Sequence, residues 1–162
     1  MASPRVIFSN VHVYLDIAKE ALSDCEKLVA ENVRPRPDGK PGFIKTFDPN
    51  QRSFKHGLIA IAFSGIYLDA LLRLAIIHKL GLAESERLEY TTYEVKLKAL
   101  GIVDPILLIR TKDFRESRNE VMHEEPLIDG VPTKGQIRTA QEDAIKAVPL
   151  VQELATAVKK VL

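Results

Sequence analysis

The segment GLIAIAFSGIYLDALLRLAII, residues Gly57–Ile77, is the most apolar run in the chain. Wound into a helix, it carries apolar residues around its whole circumference, which is typical of a helix that packs against others on several sides. It is also long enough to be tested as a membrane span. Asp69 and Arg73 lie inside it, four residues apart, where they can pair on one helical face. Because charges at membrane depth are costly, the pattern favours a buried core helix.

Start and stop signals place this core helix and the helix before it. The core helix is predicted to run over about residues 53–80, because Gly81 is a typical C-terminal stop. A first helix is predicted from a cap at Ser9 or Asn10 to about Asn32. The chain therefore begins with two long helices.

Two further helices are predicted after Gly81. Thr91 and Glu94 have the spacing of a capping box, which indicates a short helix that ends near Gly101. Asp104 and Pro105 form a second start signal, with the aspartate as cap and the proline at the first helical position. The fourth helix therefore begins at this pair.

The end of the chain is predicted to hold one more helix. The fourth helix must stop before Pro126, since a residue preceding proline avoids helical dihedral angles. The last helix is expected to start near Thr133 or Thr139 and to reach the C-terminus, with a kink at Pro149.

The segment over about residues 33–51 is predicted to be a long loop, because six prolines and glycines interrupt it. We expect Phe43, Ile44 and Phe47 to hold part of this loop against the core. A convincing pair of strands is missing from the sequence, and residues 5–8 are the one short candidate strand. The sequence thus predicts an all-α fold, an up-and-down bundle of about five helices in a single domain over residues 1–162.

Composition restricts the class of protein. The net charge is +1 at pH 7, so no overall field favours nucleic acid or membrane as a partner. Cys25 is the only cysteine, which excludes an internal disulfide and a cysteine-rich metal site. The N-terminus lacks the apolar run of a secretory signal. We therefore expect a cytoplasmic protein that needs no metal or other cofactor and does not associate with a membrane.

The fourth helix carries the sequence Arg118-Asn119-Glu120-Val121-Met122-His123. Arg118 falls within about 40° of the helix stripe that should face the bundle. A buried charge is costly unless it is paired, so Arg118 should either pair with Asp69 or Glu120 or line a polar cleft. His123 points roughly 140° away from Arg118 on an ideal helix. The two can meet if the last turn loosens or if a second subunit completes the site. The stripe itself consists of Leu107, Phe114 and Val121.

These residues are suited to cleaving RNA without a metal. A guanidinium grips a phosphate through several donors and stabilises its developing charge, which is the role expected of Arg118. An imidazole transfers protons near pH 7, so His123 could act as general base or general acid. Asn119 could orient the imidazole or contact the sugar. Taken singly, each residue also has a structural explanation, such as an ion pair for Arg118 and the helix dipole for His123.

The pattern Arg118-Asn119-x-x-x-His123 resembles the signature of the HEPN superfamily, an arginine and a polar residue followed by histidine after a gap of several residues. Its position on a late helix, after a long apolar helix and before a closing helix, agrees with that family. The resemblance implies an all-α bundle and a metal-independent endoribonuclease. It implies catalysis by Arg118, His123 and Asn119, with Asp69 on the core helix and Arg115 as candidate substrate-binding residues.

The same resemblance implies partners. Members of the family typically pair as homodimers, so that two motifs face one cleft, and they act on RNA in toxin–antitoxin, phage-defence and RNA-processing systems. An antitoxin or a nucleotidyltransferase would then be a further partner. Some members have lost activity, so the alternative expectation is a non-catalytic helical module for binding or dimerisation.

Overall fold

A computed structural model of the chain describes residues 10–46, 48, 50–122, 127–128, 131–132 and 139–162. This described part is mostly helical, as the sequence predicted. It contains six helices and two short hairpins, which follow in chain order: α1 (Val11–Glu31), β1 (Val33–Pro35), β2 (Phe43–Lys45), α2 (Arg52–Leu80), α3 (Leu82–Arg87), α4 (Tyr93–Ala99), α5 (Pro105–Met122), β3 (Leu127–Ile128), β4 (Val131–Pro132) and α6 (Ala140–Val161).

The core helix predicted from the sequence is α2, and it packs against α1, α3, α4, α5 and α6. Leu68 and Leu72 near its centre are fully buried. Gly81 ends α2 as predicted, with a φ of 94° that favours glycine. Among the described helices, α2 is the one long and apolar enough to cross a membrane, and half of its most apolar window is buried inside the protein. That burial fits a core helix.

The first and last helices cover α2. On α1, Val13 is 51% exposed, whereas Cys25 is fully buried. Apolar character alone therefore does not decide which residues of α1 face the core. Burial, followed by the charge of Glu26, raises the pKa of the Cys25 thiol.

Helix α6 meets α2 at Gly57. An ideal Cβ at Gly57 would lie 2.8 Å from the carbonyl carbon and oxygen of Ala140, the first residue of α6. The backbones of α2 and α6 therefore approach each other closely at this point.

The segment over residues 33–51 differs from the predicted loop. Strands β1 and β2 pair antiparallel, with Arg34 opposite Ile44, and β3 pairs with β4 in a second hairpin. Phe43 and Ile44 are 73% and 41% exposed, so the expectation that they hold the segment against the core is wrong. Phe47 and residues 5–8 lie outside the described residues.

Helix boundaries were predicted well where a side chain caps the helix. Thr139 precedes α6 and its hydroxyl accepts a hydrogen bond from the Glu142 N–H at 3.4 Å, so Thr139 and not Thr133 starts the last helix. Before α4 the cap position belongs to Thr92, whereas the Thr91 hydroxyl donates to the Leu88 carbonyl at 2.7 Å. Thr92 makes no side-chain capping hydrogen bond, so the predicted capping box is wrong, and α4 starts one residue later than it implied. Pro149 lies inside α6, and the kink expected there stays a prediction.

Replacing Asp104 with alanine is expected to destabilise the protein by about 1 kcal/mol. The Asp104 carboxylate accepts hydrogen bonds from the N–H groups of Ile106 and Leu107 at 2.8 and 3.1 Å, so its loss leaves two donors at the start of α5 unpaired. Chemical denaturation measures the change. Asp104→Asn keeps a capping oxygen and should remain close to the parent protein. Equal stability of the alanine variant would show that the cap contributes nothing.

Candidate active site around Arg118

Helix α5 brings Arg118 to the interior side of the protein, as its periodicity predicted. Leu107 and Phe114 are buried and Val121 is partly buried, so the predicted stripe faces the core. Arg118, beside this stripe, is partly buried. Its guanidinium therefore lies among neighbouring helices and not on an open surface.

The guanidinium belongs to a chain of hydrogen bonds that joins three helices. Arg118 Nη1 donates to the Tyr93 hydroxyl on α4 at 3.2 Å. That hydroxyl donates to Oδ2 of Asp69 on α2 at 3.1 Å, because arginine has no acceptor and the phenolic proton must point to the carboxylate. Lys96 Nζ lies 3.5 Å from Oδ1 of the same carboxylate. We call Arg118, Tyr93, Asp69 and Lys96 the Arg118 network.

Tyr93 is neutral in this network. Its side chain is 5% exposed and stacks on Phe114, with ring centroids 6.3 Å apart. Burial, followed by the negative charge of Asp69, raises the pKa of the Tyr93 hydroxyl well above its usual range. A neutral phenol fixes the position of the Arg118 guanidinium without cancelling its charge.

The direct ion pair expected between Arg118 and Asp69 is therefore absent, because Tyr93 lies between them. Within the described residues Arg118 forms no salt bridge. The pairing that helical spacing allows between Asp69 and Arg73 is also absent from the described structure. Asp69 is bound by Lys96, and Arg73 lies 3.8 Å from Glu89 instead. The Asp69 charge is thus compensated by a lysine, and the Arg118 guanidinium has no carboxylate partner among the described residues.

Gly65 on α2 makes room for the guanidinium. An ideal Cβ at this position would lie 2.5 Å from Arg118 Nε and 2.8 Å from its Cζ. Arg118 Nε is itself buried and has no hydrogen-bond partner in the part of the chain that the structure describes. The arginine therefore packs directly on the backbone of α2, in a space that exists only because residue 65 has no side chain.

Arg115, one turn before Arg118, is held by carboxylates. Its Nε and Nη2 donate to Glu94 at 3.4 and 3.3 Å, and Nη2 lies 3.6 Å from Glu116. These contacts link α5 to α4 beside Tyr93. A substrate-binding role for Arg115 stays a prediction, and in this conformation its charge is already compensated.

The Arg115–Glu94 pair predicts a pH-dependent contribution to stability. Burial pushes the pKa of Glu94 up, but hydrogen bonds from its own backbone N–H and from Arg115 outweigh burial and lower the pKa below 4.5. A lowered folded-state pKa means that the stabilisation is present above about pH 4.5 and is lost as the pH falls through the folded-state pKa. Glu94→Gln should therefore be less stable than the parent at neutral pH, and the difference should shrink in acid. Thermal melts across this range test it, and a difference independent of pH would contradict it.

The remaining candidates are placed only in part. Asn119 is exposed on α5. His123 lies outside the described residues, so its proximity to Arg118 stays a prediction. Among the described residues, no group of three or more histidines, cysteines or acidic residues is arranged to hold a metal ion. The structure thus brings Arg118 and Asp69 together through Tyr93, with Arg115 beside them.

Sequence reasoning missed three residues of this site, Tyr93, Lys96 and Gly65. Tyr93 was part of a short helix without a motif, and nothing local indicated that its hydroxyl connects Arg118 to Asp69. Gly65 did carry a signal, because a glycine inside a helix costs about 1 kcal/mol relative to alanine and often marks a close approach of another group. Comparisons of the chain with models of known protein families, with curated proteins and with solved structures gave no match.

Proposed function

We propose that this chain is a metal-independent endoribonuclease of the HEPN type. The observation that carries the proposal is the Arg118 guanidinium, which is partly buried, held by a neutral phenol and free of any salt bridge within the described residues. A guanidinium that is held in place and has no carboxylate partner among the described residues can bind a phosphate through two donors, and Asn119 follows it in the sequence. In this proposal the helices form the up-and-down bundle of that family.

The proposed reaction needs two groups. The 2′-hydroxyl of a nucleotide attacks its own 3′-phosphate, and the bond from phosphorus to the 5′-oxygen of the next nucleotide breaks, which leaves a cyclic phosphate. His123 removes the proton of the attacking hydroxyl or supplies one to the departing oxygen. Arg118 holds the phosphate and stabilises the charge that develops on its oxygens. Asn119 assists by orienting the imidazole or the sugar.

A homodimer would bring the two groups together. On one ideal helix His123 points away from Arg118, so the histidine of one subunit and the arginine of another are proposed to share a cleft. The protein would then act on RNA in the cytoplasm, as a toxin or a defence component, with an antitoxin or a nucleotidyltransferase as a further partner.

The test is incubation of the purified protein with mixed RNA in the presence of a chelator. Cleavage should leave cyclic phosphate ends and should disappear in Arg118→Ala and in His123→Ala. Cleavage that survives both substitutions would remove the assignment of these residues. Cleavage by the parent protein only after magnesium is added would contradict the metal-independent reaction.

A second candidate function is a non-catalytic HEPN-like module for binding or dimerisation. It is favoured by the Arg118 network itself, since hydrogen bonds that join α2, α4 and α5 would be retained for stability alone. This candidate predicts that the network matters for the free energy of unfolding and that no RNA is cut.

A further inference from the structure

The β1–β2 hairpin projects from the helical bundle. Within the described residues its strands contact each other and α1, and no other helix. Its base is fixed where α1 ends, because the Thr46 N–H and the Thr46 hydroxyl donate to the Asn32 carbonyl at 2.7 and 3.1 Å. Beyond this base, residues 34–44 are exposed without interruption. We call residues 33–46 the arm.

The arm is locally basic, although the whole chain is nearly neutral. Its sequence contains four basic residues, and Asp38 is its one acidic residue. At the tip, Arg36 binds Asp38 through two hydrogen bonds of 3.0 and 2.7 Å. Arg34 and Lys40 are exposed, and neither forms an ion pair in the part of the chain that the structure describes. Local positive charge of this kind attracts a polyanion. The basic residues are Arg34, Arg36, Lys40 and Lys45.

The arm also presents an aromatic ring to solvent. Phe43 is 73% exposed and lies opposite Pro35 in the register of the two strands, so these two residues share one face. An aromatic ring left in water adds little to the stability of the fold, but it can be covered on binding. A flat ring among basic residues is suited to stacking on an unpaired nucleobase, because every base has a π face.

Arg34 lies on the other face of the arm, opposite Ile44. The two faces are close to each other, because two paired strands are only about 4.8 Å apart and no third strand of the described structure covers either edge. The long side chain of Arg34 can therefore reach the edge of the hairpin. An RNA strand along that edge can stack a base on Phe43 while its phosphates stay near Arg34 and Lys40.

The arm lies at the end of the bundle towards which α5 points. Arg118 packs on Gly65, whereas Phe114, one turn earlier, stacks on Tyr93, whose hydroxyl binds Asp69. Moving along α5 towards its C-terminus therefore means moving along α2 towards its start, where the arm is attached. Gly65 lies about 20 Å along the axis of α2 from that start. The motif helix and the arm are thus directed to one end of the molecule.

We propose that the arm binds single-stranded RNA, with Phe43 stacked on an unpaired base and with Arg34 and Lys40 bound to backbone phosphates. The proposal rests on the proposed ribonuclease function, for which it names a substrate-binding surface and the class of substrate. Because stacking on Phe43 requires an unpaired base, the arm favours single strands and loops over duplexes.

The experiment measures binding of a short dye-labelled oligouridine in which every 2′-hydroxyl is methylated. This RNA cannot be cleaved by attack of a 2′-hydroxyl, so fluorescence anisotropy records binding alone. We expect saturable binding by the full-length protein and ~10-fold weaker binding by Phe43→Ala, with an unchanged dependence on salt. Arg34→Ala and Lys40→Ala should each reduce the slope of log affinity against log salt concentration by about 0.7, as expected for one lost phosphate contact on a single strand.

Matched variants test whether the ring itself is responsible. Tyr90→Ala removes an aromatic ring that is 96% exposed between α3 and α4, and Lys98→Ala removes an exposed cation of α4. Both should bind like the parent. Phe43→Tyr keeps a flat ring and should retain the parent affinity, whereas Phe43→Leu keeps only apolar surface and should bind as weakly as Phe43→Ala. An RNA duplex of the same length should lose little affinity in Phe43→Ala.

Unchanged binding by Phe43→Ala, parental affinity of Phe43→Leu, or no saturable binding by the parent would each overturn the proposal. These outcomes are distinct from those that decide the ribonuclease function. A parent protein that binds the methylated RNA through Phe43 but cuts no RNA would remove the nuclease and leave the arm as an RNA-binding surface. Cleavage by Phe43→Ala with an unchanged KM would remove the arm and leave the nuclease.

Discussion

Arg118→Ala is expected to lower the rate of RNA cleavage by ~10²–10³-fold, the loss found when one donor to a transition-state oxyanion is removed. Its effect on stability should be small by comparison. Arg118 makes one hydrogen bond to the neutral Tyr93 and no salt bridge within the described residues. The lost hydrogen bond and the lost packing of the aliphatic stem together amount to about 1–2 kcal/mol.

This combination separates the two candidate functions. Breaking a buried ion pair would cost about 3–5 kcal/mol, which is the outcome expected if Arg118 served as a structural cation. Cleavage kinetics and urea denaturation of the same preparation measure both quantities. Lys112→Ala is the matched control, because it removes an exposed cation of the same helix, whose Nζ lies 3.8 Å from Glu116. That variant should cleave like the parent.

Arg118→Lys adds a further discrimination. Lysine keeps the charge but lacks the planar fork that binds phosphate through two donors, so cleavage should remain well below the parent rate. A strong loss of stability in the alanine variant, without any cleavage by the parent protein, would favour the non-catalytic module.

Gly65→Ala is expected to reduce cleavage almost as much as Arg118→Ala, although the substituted residue touches no substrate. The new methyl group would lie 2.5 Å from the present position of Arg118 Nε, so the guanidinium must leave its place on α2. Stability should hardly change. Alanine favours the helix by about 1 kcal/mol over glycine, which offsets the loss of about 1 kcal/mol from the Tyr93 hydrogen bond.

Gly57→Ala is the control for this prediction and should show the opposite pattern. Here the obstacle is the backbone of Ala140 at 2.8 Å, which cannot swing aside as a side chain does. We expect a destabilisation of about 1–3 kcal/mol from the forced separation of α2 and α6. The molecules that remain folded should cleave normally. Full activity in Gly65→Ala would show that the position of Arg118 on α2 is not required.

The sequence predicted the helices whose signals are local. Gly81 stops α2, and Asp104 caps α5, because each acts through groups a few residues away. The hairpin of β1 and β2 was missed because its strands are three residues long, too short for an alternating pattern, and one contains Pro35. Helix α3 was missed for the same reason, since it has only six residues.

The candidate site was predicted in outline only. Periodicity correctly placed Arg118 on the inward stripe of α5. Its hydrogen-bond partner could not be predicted, because Tyr93 is 25 residues away in sequence and Asp69 is a further 24 residues from Tyr93. The i to i+4 rule suggested Arg73 for Asp69, whereas helix packing supplied Lys96 instead. Contacts between helices decided these partners, and no local pattern encodes them.

The thiol of Cys25, fully buried on α1, can report how fast that helix opens. Because burial also raises the pKa of the thiol, the packed helix protects this sulfur, and a disulfide reagent reaches it while the first helix is transiently detached. At a reagent concentration high enough that the opened thiol reacts before the helix recloses, the rate of labelling equals the rate at which that helix opens, whatever the protein does.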